Sequence, residues 1–210
     1  MKNKRRRDAL YKTVLSGIMI ALGLTLPFLT AQIPEIGNTF LPMHLPVLLC
    51  GLVCGWQWGL AVGAITPILR SLIFSAPVFY PSAISMSAEL CTYGALSGLV
   101  FLLVSKRLSG NLRKYTASLY ISLVSAMIGG RGVWGLVQCL LLGVGDGGFT
   151  PMAFVGGAFL KAIPGIIIQL LFIPPTVIAL MHAGLVPGYR LERADSDLNL
   201  NAHQSEQEQK

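Results

Sequence analysis

Charge is what this 210-residue sequence has least of. Only 12% of its residues are Asp, Glu, Lys or Arg, against about a quarter in soluble domains. From Thr13 to Tyr189 the acids are Glu35, Glu89 and Asp146, and the bases are Arg70, Lys106, Arg107, Arg113, Lys114, Arg131 and Lys161. A stretch so poor in charge cannot cover itself with a water-compatible surface, which excludes an ordinary soluble domain. With 53% hydrophobic residues and a mean hydropathy of +0.65, its solvent must be lipid.

Other absences narrow the function. Cys50, Cys54, Cys91 and Cys139 all sit in apolar stretches. Cys50 and Cys54 are one helical turn apart, but no second pair or histidine cluster completes a metal site, and nothing suggests a disulfide framework. There is no Gly-x-x-x-x-Gly-Lys-Ser/Thr loop, so the chain does not hydrolyse ATP. His-Glu-x-x-His, Gly-x-Ser-x-Gly and a Ser-His-Asp set are missing too. No cofactor and no metal are expected. The net charge of +7 comes mainly from the amino-terminal run Lys2, Lys4, Arg5, Arg6, Arg7 and Lys12. Beside a membrane helix such a run is a topology signal and an anionic-lipid contact rather than a nucleic-acid site.

What is present reads as an all-α membrane protein with six transmembrane helices. The expected spans are about Lys12–Leu29, Pro42–Cys54 (short), Leu60–Phe74, Ser82–Ser105, Thr116–Leu142 and Pro151–His182. A turn, Gly55-Trp56-Gln57-Trp58-Gly59, separates the second from the third. Residues 1–11 form a basic cytoplasmic amino terminus and residues 12–186 the membrane domain. Residues 187–210 form a polar tail, expected to be disordered, cytoplasmic and dispensable. A basic region followed by an apolar run could be a leader, but further membrane segments follow, so it reads as a retained first helix. The loop holding Lys106, Arg107, Arg113 and Lys114 should lie inside, as should the amino terminus, and four spans separate the two. The loops after spans one, three and five carry no Lys or Arg. Both termini are therefore expected in the cytoplasm, with the chain crossing the cell membrane several times.

Ionisable residues inside a membrane are costly and mark function by default. Arg70, Glu89, Arg131 and Lys161 fall in four different spans, all in the outer half or near the midplane. Arg131, for example, is roughly 16 Å from the outer end of its helix at the rise of an α-helix. They suggest one outward-facing polar cavity with a positive excess, suited to a carboxylate or phosphate. The alternatives are that Arg70 snorkels to the headgroups and that Glu89 merely neutralises Arg131 or Lys161. Gln138 lies two turns from Arg131 on the same face, and Tyr93 one turn from Glu89. Asn38 and His44 flank the first loop. Phe79 and Trp134 could stack on a planar ligand, whereas Trp56 and Trp58 read as interfacial anchors. Gly17 and Ala21, four apart, allow close approach of another helix, within the bundle or from a partner.

The six-span length, the basic amino terminus, the Gly17/Ala21 pair and the stretch Leu41-Pro-Met-His-Leu-Pro-Val-Leu-Leu-Cys-Gly51 through Gly55, Gly59, Gly63 and Pro67 carry a resemblance. Over about Tyr11 to His182 the chain resembles the substrate-binding (S) components of energy-coupling factor (ECF) vitamin transporters, in the pantothenate, folate and riboflavin branch. The resemblance implies a high-affinity vitamin-binding subunit. It would dock on a membrane coupling protein and two cytoplasmic ATPases, with Gly17 and Ala21 facing the coupling protein. It also implies ligand contacts from Glu89, Tyr93, Arg131, Gln138 and Lys161, with Asn38 and Phe79 from the loops. Arg70 joins these on the charge argument. Together with the positive excess, it suits pantothenate, then folate or biotin. The other readings are a stand-alone secondary transporter or channel, and a membrane enzyme in which Glu89 and His44 would be the only acid–base candidates.

Overall fold

In the computed structural model, residues 2–29, 41–107, 112–143, 156 and 162–183 are described. They form six α-helices: α1 Lys2–Leu29, α2 His44–Cys54, α3 Trp56–Phe74, α4 Ile84–Arg107, α5 Leu112–Leu142 and α6 Ile163–His182. The protein is an all-α membrane protein. Every helix except α2 is long and apolar enough to cross a bilayer. α2 has 11 residues and is about 16 Å long, roughly half the hydrocarbon thickness. It is a core helix: nine of its residues, from His44 to Cys54, are buried.

The basic residues gather at one end of the bundle. Tyr11 and Lys12 lie within electrostatic reach of Cys54. Gly98 abuts the start of α3 at Trp56, and Phe101 of α4 meets Tyr115 of α5 with ring centroids 5.2 Å apart. Lys106, Arg107, Arg113 and Lys114 belong to this end. At the opposite end Phe28 packs edge-on against Phe74 at 4.8 Å, and the Tyr80 hydroxyl donates to the Leu141 carbonyl at 2.6 Å. By the positive-inside rule the basic end faces the cytoplasm, which makes the opposite end the outer one.

The helix boundaries differ from the sequence reading in instructive places. The reversal between α2 and α3 needs one residue, Gly55 (φ 103°), a backbone conformation that glycine adopts without strain. Trp56 to Gly59 then form the first turn of α3, with the Trp58 and Gly59 amides donating to the Gly55 carbonyl. The basic loop residues 106, 107, 113 and 114 lie in the ends of α4 and α5 rather than between them. Before α4, Phe79–Ala83 form a wide turn broken by the extended Tyr80. The start expected for the sixth span, the tail from residue 187, Asn38 and Lys161 lie outside the described residues.

α4 is the central helix, packed on α2, α3 and α5, while α1 covers α2 and α3, and α6 covers α2 and α5. Glycines bring these backbones together. A Cβ on Gly59 would strike the Gly94 carbonyl and the Gly51 Cα, one on Gly63 the Leu90 carbonyl, and one on Gly98 the Gly51 carbonyl. Helices that touch backbone to backbone gain dispersion contacts where lipid offers no hydrophobic driving force. Ser87 adds a cross-helix bond to the Ala64 carbonyl at 2.9 Å. The lipid-facing side carries Leu72, Ile128, Leu136, Leu140 and Leu171, each more than half exposed.

Gly59→Ala places its methyl against backbone that cannot move aside, and is expected to destabilise the protein by about 3 kcal/mol or more. Gly132→Ala, whose Cβ would meet nothing within 4 Å among the described residues, should not lower stability, since alanine is the better helix former. Thermal unfolding of the two purified variants in detergent checks the contrast.

Candidate functional site

The site begins with Glu89. The glycine contacts press α4 against α2 and α3, so the face of α4 that carries Glu89 and Tyr93, one turn apart, is sealed from lipid. Glu89 is 2% exposed and Tyr93 1%. α5 presents Gly130 and Arg131 to them. A Cβ at Gly130 would collide with the Tyr93 ring, so this glycine lets the ring lie flat on α5 and brings Arg131 up to the carboxylate.

Arg131 Nη1 stands 3.0 Å from Glu89 Oε1, both side chains being almost fully buried. His44 Nε2, at the start of α2, stands 3.6 Å from the same oxygen. The His44 and Tyr93 rings meet edge to face at 5.1 Å. One carboxylate oxygen thus sits between a guanidinium and an imidazole from two other helices. Neither contact is an aligned hydrogen bond: Oε1, both His44 ring nitrogens, and Nε and Nη2 of Arg131 are buried without a hydrogen-bond partner among the described residues. The Arg131 contact is therefore an ion pair held by charge rather than by N–H direction. A guanidinium has two edges able to grip a carboxylate with parallel N–H groups. Glu89 takes up Nη1, which leaves the Nε–Nη2 edge intact.

The structure unites three of the residues singled out from the sequence: Glu89, Tyr93 and Arg131. Glu89's partner, open on sequence grounds, is Arg131. Gln138 is half-buried two turns along α5, with its Oε1 buried and unpartnered. Arg70 stands elsewhere: its Nε donates to the Ala76 carbonyl at 2.9 Å and its guanidinium lies 5.7 Å from the centre of the Phe28 ring. It fastens the end of α3 to α1 and to the turn that follows. Phe79 is 48% exposed on the wide turn before α4.

Gly17 and Ala21 lie on the exposed side of α1, and nothing is within 4 Å of a Cβ built on Gly17. The internal face of α1 runs instead through Ser16, Met19, Gly23 and Pro27, where Ser16 Oγ meets Cys50 Sγ at 3.5 Å. Packing among the described residues therefore does not account for the Gly17/Ala21 pair.

His44, read from the sequence as a loop-flanking residue that could line the cavity or act as an acid–base partner, lies against Glu89; one polar residue escaped the sequence reading. Gln169, 1% exposed, had not appeared at all. Its signal was available: it is the lone amide on the stripe Gly165, Ile173, Val177 and Met181, four residues from its neighbours on the buried face of α6.

Removing one member of a buried pair leaves the other charge uncompensated, at a cost of about 3–5 kcal/mol. Glu89→Gln and Arg131→Gln alone should each lower thermal stability, and the double variant should recover most of the loss. Additive losses in a double-mutant cycle would contradict the pairing.

The family model described as ECF transporter, substrate-specific component, matches residues 12–185 of this chain. No curated protein and no solved structure matches it.

Proposed function

Because the chain belongs to the family of ECF transporter substrate-specific components, a family of transporter subunits, we propose that it binds an anionic vitamin, pantothenate before folate or biotin. It would deliver the vitamin through a membrane coupling protein and two cytoplasmic ATPase subunits in a bacterial cell membrane. The observation that carries the anionic part of this reading is the Nε–Nη2 edge of Arg131, buried and unpartnered beside Glu89. A ligand carboxylate accepts both of those N–H groups in one plane, the strongest form of charge-assisted hydrogen bond.

Two carboxylates on one guanidinium leave a negative excess. Lys161, placed in the site by its position in the sequence, supplies the second cation. Gln138 offers an acceptor further out on α5, Tyr93 shapes the floor, and the family resemblance adds Asn38 and Phe79 as ligand contacts from the loops. Arg70 holds the segment at Ala76 and packs on Phe28, while its Nη1, buried without a hydrogen-bond partner among the described residues, keeps it among the ligand contacts. The basic end of the bundle faces the cytoplasm, so the Arg131 site opens outward. Energy comes from the partners, in keeping with the lack of a phosphate-binding loop. Gly17 and Ala21, open on the flank of α1, form the coupling surface.

Native mass spectrometry of the protein in mild detergent is expected to release pantothenate or another carboxylated vitamin; release of a neutral vitamin such as riboflavin would overturn the anionic reading. The Glu89→Gln/Arg131→Gln double variant leaves the net charge of the site unchanged and should stay folded while losing affinity by roughly a hundredfold or more.

Gly17→Leu should bind the vitamin as the wild type does but fail to support its uptake in cells. Normal uptake by this variant would remove Gly17 from the coupling surface.

A further inference from the structure

The core stripes of two neighbouring helices end in the same way. On α5 the stripe runs through Leu119, Leu123 and Met127 and gives way, one turn on, to Arg131. On α6 it runs from Met181 through Val177 and Ile173 and gives way, one turn on, to Gln169. α6 packs on α2 and α5, the helices that carry His44 and Arg131, and all these apolar residues share one core. A single apolar core is thus bordered by His44, Arg131 and Gln169, each reached from a different helix.

Gln169 is nearly inaccessible, and its Nε2 has no hydrogen-bond partner among the described residues. An amide donor shut away unpaired costs about 1–3 kcal/mol, and lipid offers no partner to relieve it. The rest of α6 does not explain it. The helix is otherwise Ile, Leu, Phe, Pro and other apolar residues, and its Thr176 bonds back to the Phe172 carbonyl at 2.6 Å. A leucine or methionine would fill the Gln169 position without that cost.

We infer that Gln169 is the contribution of α6 to the ligand site, donating its amide N–H to an uncharged oxygen of the bound molecule. The inference rests on the anion-binding reading of Arg131 and narrows the ligand further. The cargo carries a carbonyl or hydroxyl oxygen apart from its acid group, met at the border of the same core, and is not a simple carboxylate. Pantothenate, with an amide and two hydroxyls beyond its carboxylate, has that form. Gln169 then selects among carboxylates, a role that Arg131 alone cannot perform.

The test uses the full chain in detergent, wild type and Gln169→Met, with thermal unfolding measured in the absence of ligand and with pantothenate, biotin, folate and riboflavin in turn. Without ligand, Gln169→Met should unfold at or above the wild-type temperature, because an unpaired donor has been removed. A clear fall would mean that Gln169 serves the fold, and would overturn the inference. For whichever vitamin stabilises the wild type, Gln169→Met should weaken the Kd roughly tenfold; an unchanged Kd would overturn it. If a vitamin other than pantothenate binds, the choice of pantothenate fails and Gln169 is judged on that vitamin. If none of the four binds, the anionic-vitamin reading fails, and the ligand-free unfolding temperature alone decides for or against Gln169.

Discussion

Backbone contact between α2, α3 and α4 is the constraint on which the rest of this structure depends. In lipid, apolar side chains gain nothing by leaving their surroundings, so helices associate through close packing and a few polar links. Here the close packing is extreme. Gly59 faces Gly94, Gly63 faces the Leu90 carbonyl and Gly98 faces Gly51. Gly63 meets α4 beside Leu90, the residue after Glu89. The contact that fixes α4 therefore also fixes the depth and heading of the carboxylate.

A carboxylate so placed has to be answered by charge. Arg131 does this from α5, at 3.0 Å, and Gly130 beside it clears the space that Tyr93 occupies. Such a pair contributes little net stability, since desolvation offsets most of the attraction. It orients the guanidinium and leaves one edge, Nε and Nη2, buried without a hydrogen-bond partner among the described residues. On the anion-binding reading proposed above, such a preorganised edge takes up its ligand without first ordering a long side chain. The cost is carried by the packed glycines.

The periphery is built on a different plan. α1 rests on the bundle through a narrow stripe of small and flexible side chains, Ser16, Met19 and Gly23, and leaves its Gly17–Ala21 flank bare. At the outer end, Arg70 binds the Ala76 carbonyl and Phe28, while Tyr80 ties the next turn to Leu141. Those few directional contacts hold the connections beside the site, whereas the bundle below is held by area.

The membrane class, the helical spans and the inward-facing charge could be read from the residues alone, because lipid imposes a simple rule: long apolar runs are helices, and each charge left within them needs a reason. The glycines of α2 and α3 were visible as a pattern but not as a mechanism, since only the packed backbones reveal what a Cβ would strike. From the sequence, Arg70 could face the cavity or snorkel to the headgroups, and Glu89 could pair with Arg131 or Lys161. The tertiary structure sent Arg70 to Phe28 and joined Arg131 to Glu89, because pairing depends on which faces of separate helices meet, and helical period gives a face but not its neighbour. Gln169 was visible as the lone amide of its stripe, but only the packing shows that its Nε2 is shut into the core without a hydrogen-bond partner among the described residues, because a sequence gives a residue's face and not what that face meets.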